Sequence, residues 1–589
     1  MKTIGRLCTM FAIVCGSSHM SAWAQTSVDT LIGLWGAQEM LGPAIRGDVI
    51  FELRGTEWHA IIAGSDVSVQ QHGDELRFTA PNNQGEFRGR LRQGPSLQGH
   101  WIQPPGLFNN NRYASPIHFE PAGKHRWKGQ VRPLEDRFSV YVSIQRENDG
   151  SLSAFLRNPE SNEFRRRIYQ VKSENASVEL VSGAQTLKGT YDSAMDRLSL
   201  ALLEGAPNID LTRRSPQDAI GLYPRGRPVG PYVYHAPAAI NDGWSTSTLS
   251  EVGLKEEPLA ALVQKIAEAD PRDNPINIQS LLVARHGRLV LEEYFYGFDR
   301  ARPHDLRSAG KTLAPVLLGI ARDRGAEANP SSSLYSFFPQ YKPFANWDDR
   351  KAKVTVRDIM TMTSGLACDD NDDNSPGNED NMQSQGKQPD WYKYTLDLPM
   401  VTSPGGSHAV YCSADLNLVG GVVRQVTGRW LPEFFEMNFA EPLQVDRYYL
   451  NLMPTGEAYT GGGAYLLPRD QLKLGQLYLN GGIWNGRRVV SKEWTMESTA
   501  RHSTFAPNLK DEPQHDYGYG WHERSFITVG DRIFRDYLAG GNGGQLIIVI
   551  PDLDMVVGIN GGSYSDFRWY RWELDLLPQF IVPAAVLSH

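Results

Sequence analysis

The sequence predicts a mixed α/β (α+β) domain preceded by an all-β sandwich or barrel. Three observations carry that reading. Residues 31–203 run in short alternating segments broken by Gly, Asn and Asp, the spacing of strands and tight turns. Residues 224–237 are proline-rich. Beyond them, helical periodicity and apolar strand runs alternate to the C-terminus. The composition agrees, since 589 residues with 41% hydrophobic and 21% charged side chains describe an ordinary globular protein and exclude disorder or collagen. Lys and Arg number 59 against 67 Asp and Glu, which leaves no broad basic surface for nucleic acid.

Residues 1–24 read as a secretory signal. Lys2 and Arg6 make a positive start, residues 7–15 a short apolar run, and Ala22-Trp23-Ala24 a cleavage site. No later stretch reaches about 18 uninterrupted apolar residues, so the chain reads as exported, periplasmic or secreted, with no integral membrane span. Of four cysteines, Cys8 and Cys15 fall in the signal. Cys368 and Cys412 remain in a compartment that permits oxidation and are expected to pair; the alternative is two buried free thiols. The pair would close a loop worth about 4 kcal/mol in the chain-entropy model.

The domains follow from these punctuations: 25–223 β-rich, 224–240 a linker, and 241–589 the mixed domain. In the first, strands are expected at 48–53, 58–62, 75–79, 138–144, 151–156 and 197–202. A faint repeat suggests two similar β units in one domain. One opens at Trp35-Gly36 and ends at Gly99-His100-Trp101; the other opens at Trp127-Lys128-Gly129 and ends at Gly189-Thr190-Tyr191. Two copies are too few for a solenoid. In the mixed domain, 258–269, 316–324, 356–362 and 416–426 read as helices. Strands 280–285 and 288–296 flank the hairpin signal His286-Gly287, and 545–550 with 554–559 form a closing pair.

Chemistry concentrates at Arg307-Ser308-Ala309-Gly310-Lys311-Thr312. With Ser308 at a helix start, Lys311 lies one turn on, on the same face. A serine hydroxyl is a poor nucleophile until such a partner activates it, and a helix N-terminus offers N–H groups to an oxyanion. Helix capping is the plain alternative for Ser308. A second match, Ser384-Gln385-Gly386-Lys387, sits in a polar stretch and is read as chance. Gly310-Lys311-Thr312 is not a phosphate loop, because Asp305 stands where that motif needs glycine. Without a G-x-S-x-G elbow, His304, His408 and His515 read as surface or packing residues. No metal or other cofactor is called for. The acidic run 369–374 lacks EF-hand spacing and reads as a solvated, mobile loop. Trp391, Tyr392 and Tyr394 beyond it read as core packing in preference to pocket lining.

Two further segments complete a pattern: Tyr411-Cys412-Ser413 ahead of a helix, and Gly540-Gly541-Asn542-Gly543-Gly544-Gln545 leading into a strand. With residues 354–366, 461–470 and 517–521 they make the chain resemble the serine β-lactamase-like family over 232–580. That family holds class C β-lactamases, penicillin-binding D-peptidases and related esterases and amide hydrolases. The resemblance implies a β-lactamase/transpeptidase-like fold and an acyl-enzyme on Ser308, with Lys311 and Tyr411 sharing the proton. Ser413 would hydrogen-bond Lys311 or the substrate. The N–H of Ser308 and one from Gly541, Asn542 or Gly543 would bind the oxyanion.

Three departures refine it. The third motif usually supplies a cation, and residues 539–544 contain none, which favours neutral small esters or amides over β-lactams and peptide C-termini. Pro315 should kink the nucleophile helix and leave the carbonyl of Lys311 unpaired. Cys412 stands inside the tyrosine motif, so a bridge to Cys368 would pin the acidic loop beside Tyr411. The expected protein is a serine hydrolase of the carboxylesterase or amidase type; the alternatives are a penicillin-binding receptor or sensor, a D-amino-acid peptidase and a β-lactamase.

Overall fold

The structure, a computed structural model, describes residues 28–586 except 93–95, 107–110, 204, 274–275 and 508–513. The predicted signal at 1–24, with Cys8 and Cys15, lies outside the described residues. The chain divides into two compact units: Met1–Trp35, Ser143–Ala154 and Ile168–Arg213 form one, and Gly36–Val142, Phe155–Arg167 and Arg214–His589 the other.

Each strand predicted between residues 48 and 202 is present, within a residue or two of its expected ends. Eight strands, Gly33–Gly42, Asp136–Arg146, Leu152–Arg157, Ile168–Glu174, Ser177–Ser182, Gln185–Asp192, Arg197–Leu200 and Ile209–Arg213, close a barrel in that order. Closure leaves no strand edge unpaired. The strands between Gly47 and Val131 belong to a different, twelve-stranded sheet. The expectation of two equivalent units in one domain is therefore corrected: the Trp35 strand, expected to open the first unit, lies in the barrel, and the Trp127 strand, expected to open the second, lies in the twelve-stranded sheet. The Arg213 guanidinium stacks on the Trp35 ring, 3.9 Å from its centroid, a cation–π contact made in three dimensions and invisible to a repeat in sequence.

The twelve-stranded sheet continues into the C-terminal half of the chain. Arg112–His118 pairs antiparallel with Tyr448–Leu452, which pairs with Ala464–Leu466, which pairs with His304–Asp305. The last pair delivers the chain directly to Ser308. Residues 224–240 carry no helix or strand.

A nine-stranded sheet forms the second layer of the catalytic region. Its hairpin Ile278–Arg285 and Arg288–Tyr294 turns at His286 and Gly287, both with positive φ, as a tight two-residue turn requires. Side chains alternate between two cores along each strand. Leu281, Val283, Ile548 and Val557 face one core with helix Glu256–Glu268, which presents Leu259, Leu262, Val263 and Ile266. Leu282, Ala284, Ile547 and Val556 face the other. Helix Pro468–Leu479 lies on that second face: a Cβ on Gly475 would stand 2.6 Å from Val556 and 2.8 Å from Ile547.

Candidate active site

The nucleophile turn hangs from its short strand. Leu306 N donates to the Ala464 carbonyl, and Asp305 accepts from both the N–H (2.9 Å) and the Nε (2.8 Å) of Arg307. These bonds hold Arg307 at φ 48°, a left-handed conformation costly for a non-glycine residue. A 3₁₀ turn, Arg307–Thr312, follows, and helix Leu313–Asp323 continues from it. Pro315 thus occupies the first turn of the α-helix, where a missing N–H is tolerated, and the expected kink gives way to an uninterrupted helix. The Pro315 carbonyl accepts from Trp494 Nε1 at 3.0 Å.

Lys311 is 2% exposed. Its Nζ donates to Ser308 Oγ at 3.0 Å and to the Gly461 carbonyl at 2.6 Å. It lies 5.0 Å from the Tyr411 ring centroid. Burial alone would lower its pKa. Tyr411, Glu379 and Asp370 outweigh burial and leave the ammonium favoured beyond that of an ordinary lysine. The surroundings of Lys311 thus favour its charged form.

Tyr411 precedes helix Ser413–Thr427, whose first turn is capped by Cys412 Sγ, accepting from Asp415 N at 3.3 Å, and whose end is Gly428 at φ 63°. Cys412 is bonded to Cys368, with sulfurs 1.96 Å apart and Cα atoms 5.5 Å apart. Asp370 N donates to the Tyr411 carbonyl at 2.8 Å. The acidic run is thereby split. Residues 371–374 are exposed, as expected of a solvated loop, but Asp370 is half-buried and fully engaged. Its carboxylate accepts from Ser413 N (2.7 Å), Ser413 Oγ (2.6 Å) and Glu379 N (2.9 Å).

That arrangement corrects the role assigned to Ser413. Its side chain is fully buried, and its hydroxyl is given to Asp370 and, at 3.3 Å, to Glu379, not to Lys311 or a substrate. Glu379 also accepts from Tyr459 Oη at 2.6 Å. The place of a Lys311 acceptor is filled by Gly461. Sequence reasoning missed Asp370, Glu379, Tyr459 and Gly461 as site residues. The usable signals were Asp370's position two residues beyond Cys368 and the Gly461-Gly462-Gly463 run already noted as recurring.

Gly541 ends strand Arg532–Gly541 directly against the nucleophile turn. A Cβ there would strike the Leu306 carbonyl oxygen and stand 3.0 Å from Ala309 N. Asn542 turns its side-chain oxygen to Ser565 N at 3.2 Å, and Gly543, at φ 91°, bridges to Ser563. Trp391 and Tyr392 are buried in the core. His304 is buried and stacked on Phe298, with centroids 4.8 Å apart, while His408 is exposed.

A half-buried serine, a buried lysine touching its hydroxyl and a tyrosine on that lysine define a serine hydrolase. The chain belongs to the beta-lactamase family, whose model matches residues 267–566. It is 25% identical over 331 residues to the 6-aminohexanoate-dimer hydrolase of Paenarthrobacter ureafaciens, covering 54% of this chain and 80% of that one. Similar solved structures include a family VIII carboxylesterase (16% identity, 58% of this chain and 98% of that one, TM-score 0.42) and simvastatin synthase from Aspergillus terreus (16%, 55% and 97%, TM-score 0.44). Among the described residues no helix is long and apolar enough to cross a membrane.

Proposed function

We propose that the protein, exported by its N-terminal signal, hydrolyses small esters or amides through an acyl-enzyme on Ser308. The observation that carries this is the 3.0 Å contact of Lys311 Nζ with Ser308 Oγ beside Tyr411. Ser308 Oγ attacks the carbonyl carbon. Its proton passes to the Lys311–Tyr411 pair, with the Tyr411 oxygen as the receiving atom, while Lys311 Nζ, 3.0 Å from Ser308 Oγ, supports the charge developing on Oγ. N–H groups of Ser308 and of the segment at Gly541, Asn542 and Gly543 take the oxyanion. Tyr411 returns the proton to the leaving alcohol or amine, then accepts one from the water that attacks the acyl-enzyme.

A cleft of about 470 Å³, lined by Arg307, Phe298, Arg302, Arg447, Tyr465 and Tyr564, opens beside Arg307, the residue before the nucleophile. The Paenarthrobacter relative, named a 6-aminohexanoate-dimer hydrolase, fits the same reading, as does the cation-free third motif. Ser308→Ala should abolish turnover and labelling by a fluorophosphonate probe while circular dichroism stays unchanged; retained turnover would overturn the proposal. A panel of acyl esters of graded length, linear and D-amino-acid amides and nitrocefin identifies the preferred bond.

A further inference from the structure

Two carboxyl groups act on the Lys311 ammonium through space, outside hydrogen-bond contact with it. Asp370 comes from the segment beside the disulfide and Glu379 from the start of helix Glu379–Gln383, whose Asn378 cap accepts from Asp380 N. They are tied to each other and to the wall of the site. Asp370 Oδ1 accepts from Glu379 N, the Ser413 hydroxyl spans Asp370 Oδ2 and Glu379 Oε2, and the Tyr459 phenol closes on Glu379 Oε1. Tyr459 stands two residues before Gly461, the acceptor of Lys311 Nζ. Ser413 stands two residues after Tyr411. The clamp is thus connected through the backbone to both partners of the lysine.

We infer that Asp370 and Glu379 are positioning residues, a paired-carboxylate floor clamped by Ser413 and Tyr459 that holds the Lys311 ammonium in place for proton transfer. The inference rests on the reading of Lys311 as a cation and Tyr411 as the proton acceptor. The physical need is plain: a buried ammonium without negative charge nearby loses its proton or leaves its place. The third motif contributes no charge to this region, since residues 539–544 hold none. The other titratable groups acting here are Tyr411 and the buried Tyr459, His522 on strand His522–Val529, and Asp415 on helix Ser413–Thr427. Burial pushes the His522 pKa well down and the Asp415 pKa well up, so both are disfavoured as charges. Asp370 and Glu379 therefore supply the carboxylate charge opposing Lys311, and Lys311 and Ser413 in turn pull against the burial that raises the Asp370 pKa.

The test is kinetic, on the full-length protein with the ester found best in the panel above. Asp370→Asn and Glu379→Gln should each lower kcat by ~10- to 100-fold with KM changed less than about threefold. Each should also move the alkaline limb of the kcat profile to lower pH by about one unit, because removing a carboxylate releases the Lys311 proton more readily. Ser413→Ala removes hydrogen bonds but no charge, and should leave that limb where it is. An unmoved limb in whichever of the two carboxylate variants folds, or an equal shift in Ser413→Ala, would overturn the inference. Its failure is separable from failure of the site reading, because Ser308 labelling by fluorophosphonate reports the nucleophile whatever the carboxylates do.

Discussion

The Gly461 carbonyl oxygen stands closer to Lys311 Nζ, at 2.6 Å, than the Ser308 hydroxyl does at 3.0 Å. A backbone acceptor therefore sets the lysine's position, and glycine is what lets it approach. A Cβ on Gly461 would strike the Tyr459 hydroxyl and stand 2.6 Å from the Ser413 carbonyl. Gly461→Ala should cost about 1–3 kcal/mol of stability through overpacking and lower kcat at least ~10-fold by displacing Lys311. Chemical denaturation and steady-state kinetics on the same preparation check both. Wild-type kcat would show the carbonyl to be dispensable.

Lys311 makes a pH prediction whose sign follows from its raised pKa. Its stabilising contribution is complete below the unfolded value of 10.5 and fades only as pH rises through the higher folded value. Between pH 7 and 10 neither activity nor stability should lose Lys311's share. Lys311→Ala should lower kcat by ~10³-fold at pH 7. A wild-type alkaline limb near pH 8 that vanished in the variant would contradict the cationic role.

The Cys368–Cys412 bridge spans 44 residues and should stabilise by about 4 kcal/mol. It also joins the Asp370 segment to the tyrosine motif. Cys368→Ser with Cys412→Ser, or reduction of the native protein, should lower the melting temperature and reduce kcat more than KM. An equal fall in stability without any change in kcat would mean that the bridge serves folding alone.

Gly541→Ala should be close to inactive. The strand end cannot keep its place against the Leu306 carbonyl and Ala309 N–H with a methyl group between them. Loss of one oxyanion donor costs about 10²- to 10³-fold in kcat, and that is the fall expected in steady-state assays, with fluorophosphonate labelling of Ser308 slowed in proportion. An unaffected rate would remove this segment from the oxyanion site.

Short-range regularities made much of this molecule legible. Helix Glu256–Glu268 shows its buried face at Leu259, Leu262, Val263 and Ile266, and the strands announce themselves by alternation and by turns such as His286-Gly287. Ser308 and Lys311 are readable together because three residues of helical turn put them side by side. The carboxylate floor was not legible. Asp370 and Ser413 are 43 residues apart and Glu379 and Tyr459 are 80 apart, and no periodicity connects such positions. The error over Ser413 has the same origin: a motif position fixes where a hydroxyl starts, and the neighbours brought by the rest of the chain decide where it points. Pro315 misled for a local reason, since the 3₁₀ turn moves the start of the α-helix to Leu313.

The pairing of Arg112–His118 with Tyr448–Leu452 sets an order of events during synthesis. The first strand leaves the ribosome long before its neighbour exists, and until then it presents a bare row of N–H and C=O groups on which another chain could pair. A newly made molecule passes through a vulnerable interval that ends only when the segment around Leu450 arrives. The same pairing means that a protease cut within residues 224–240 would nick the molecule without releasing its front half, and the two fragments should travel together through a sizing column.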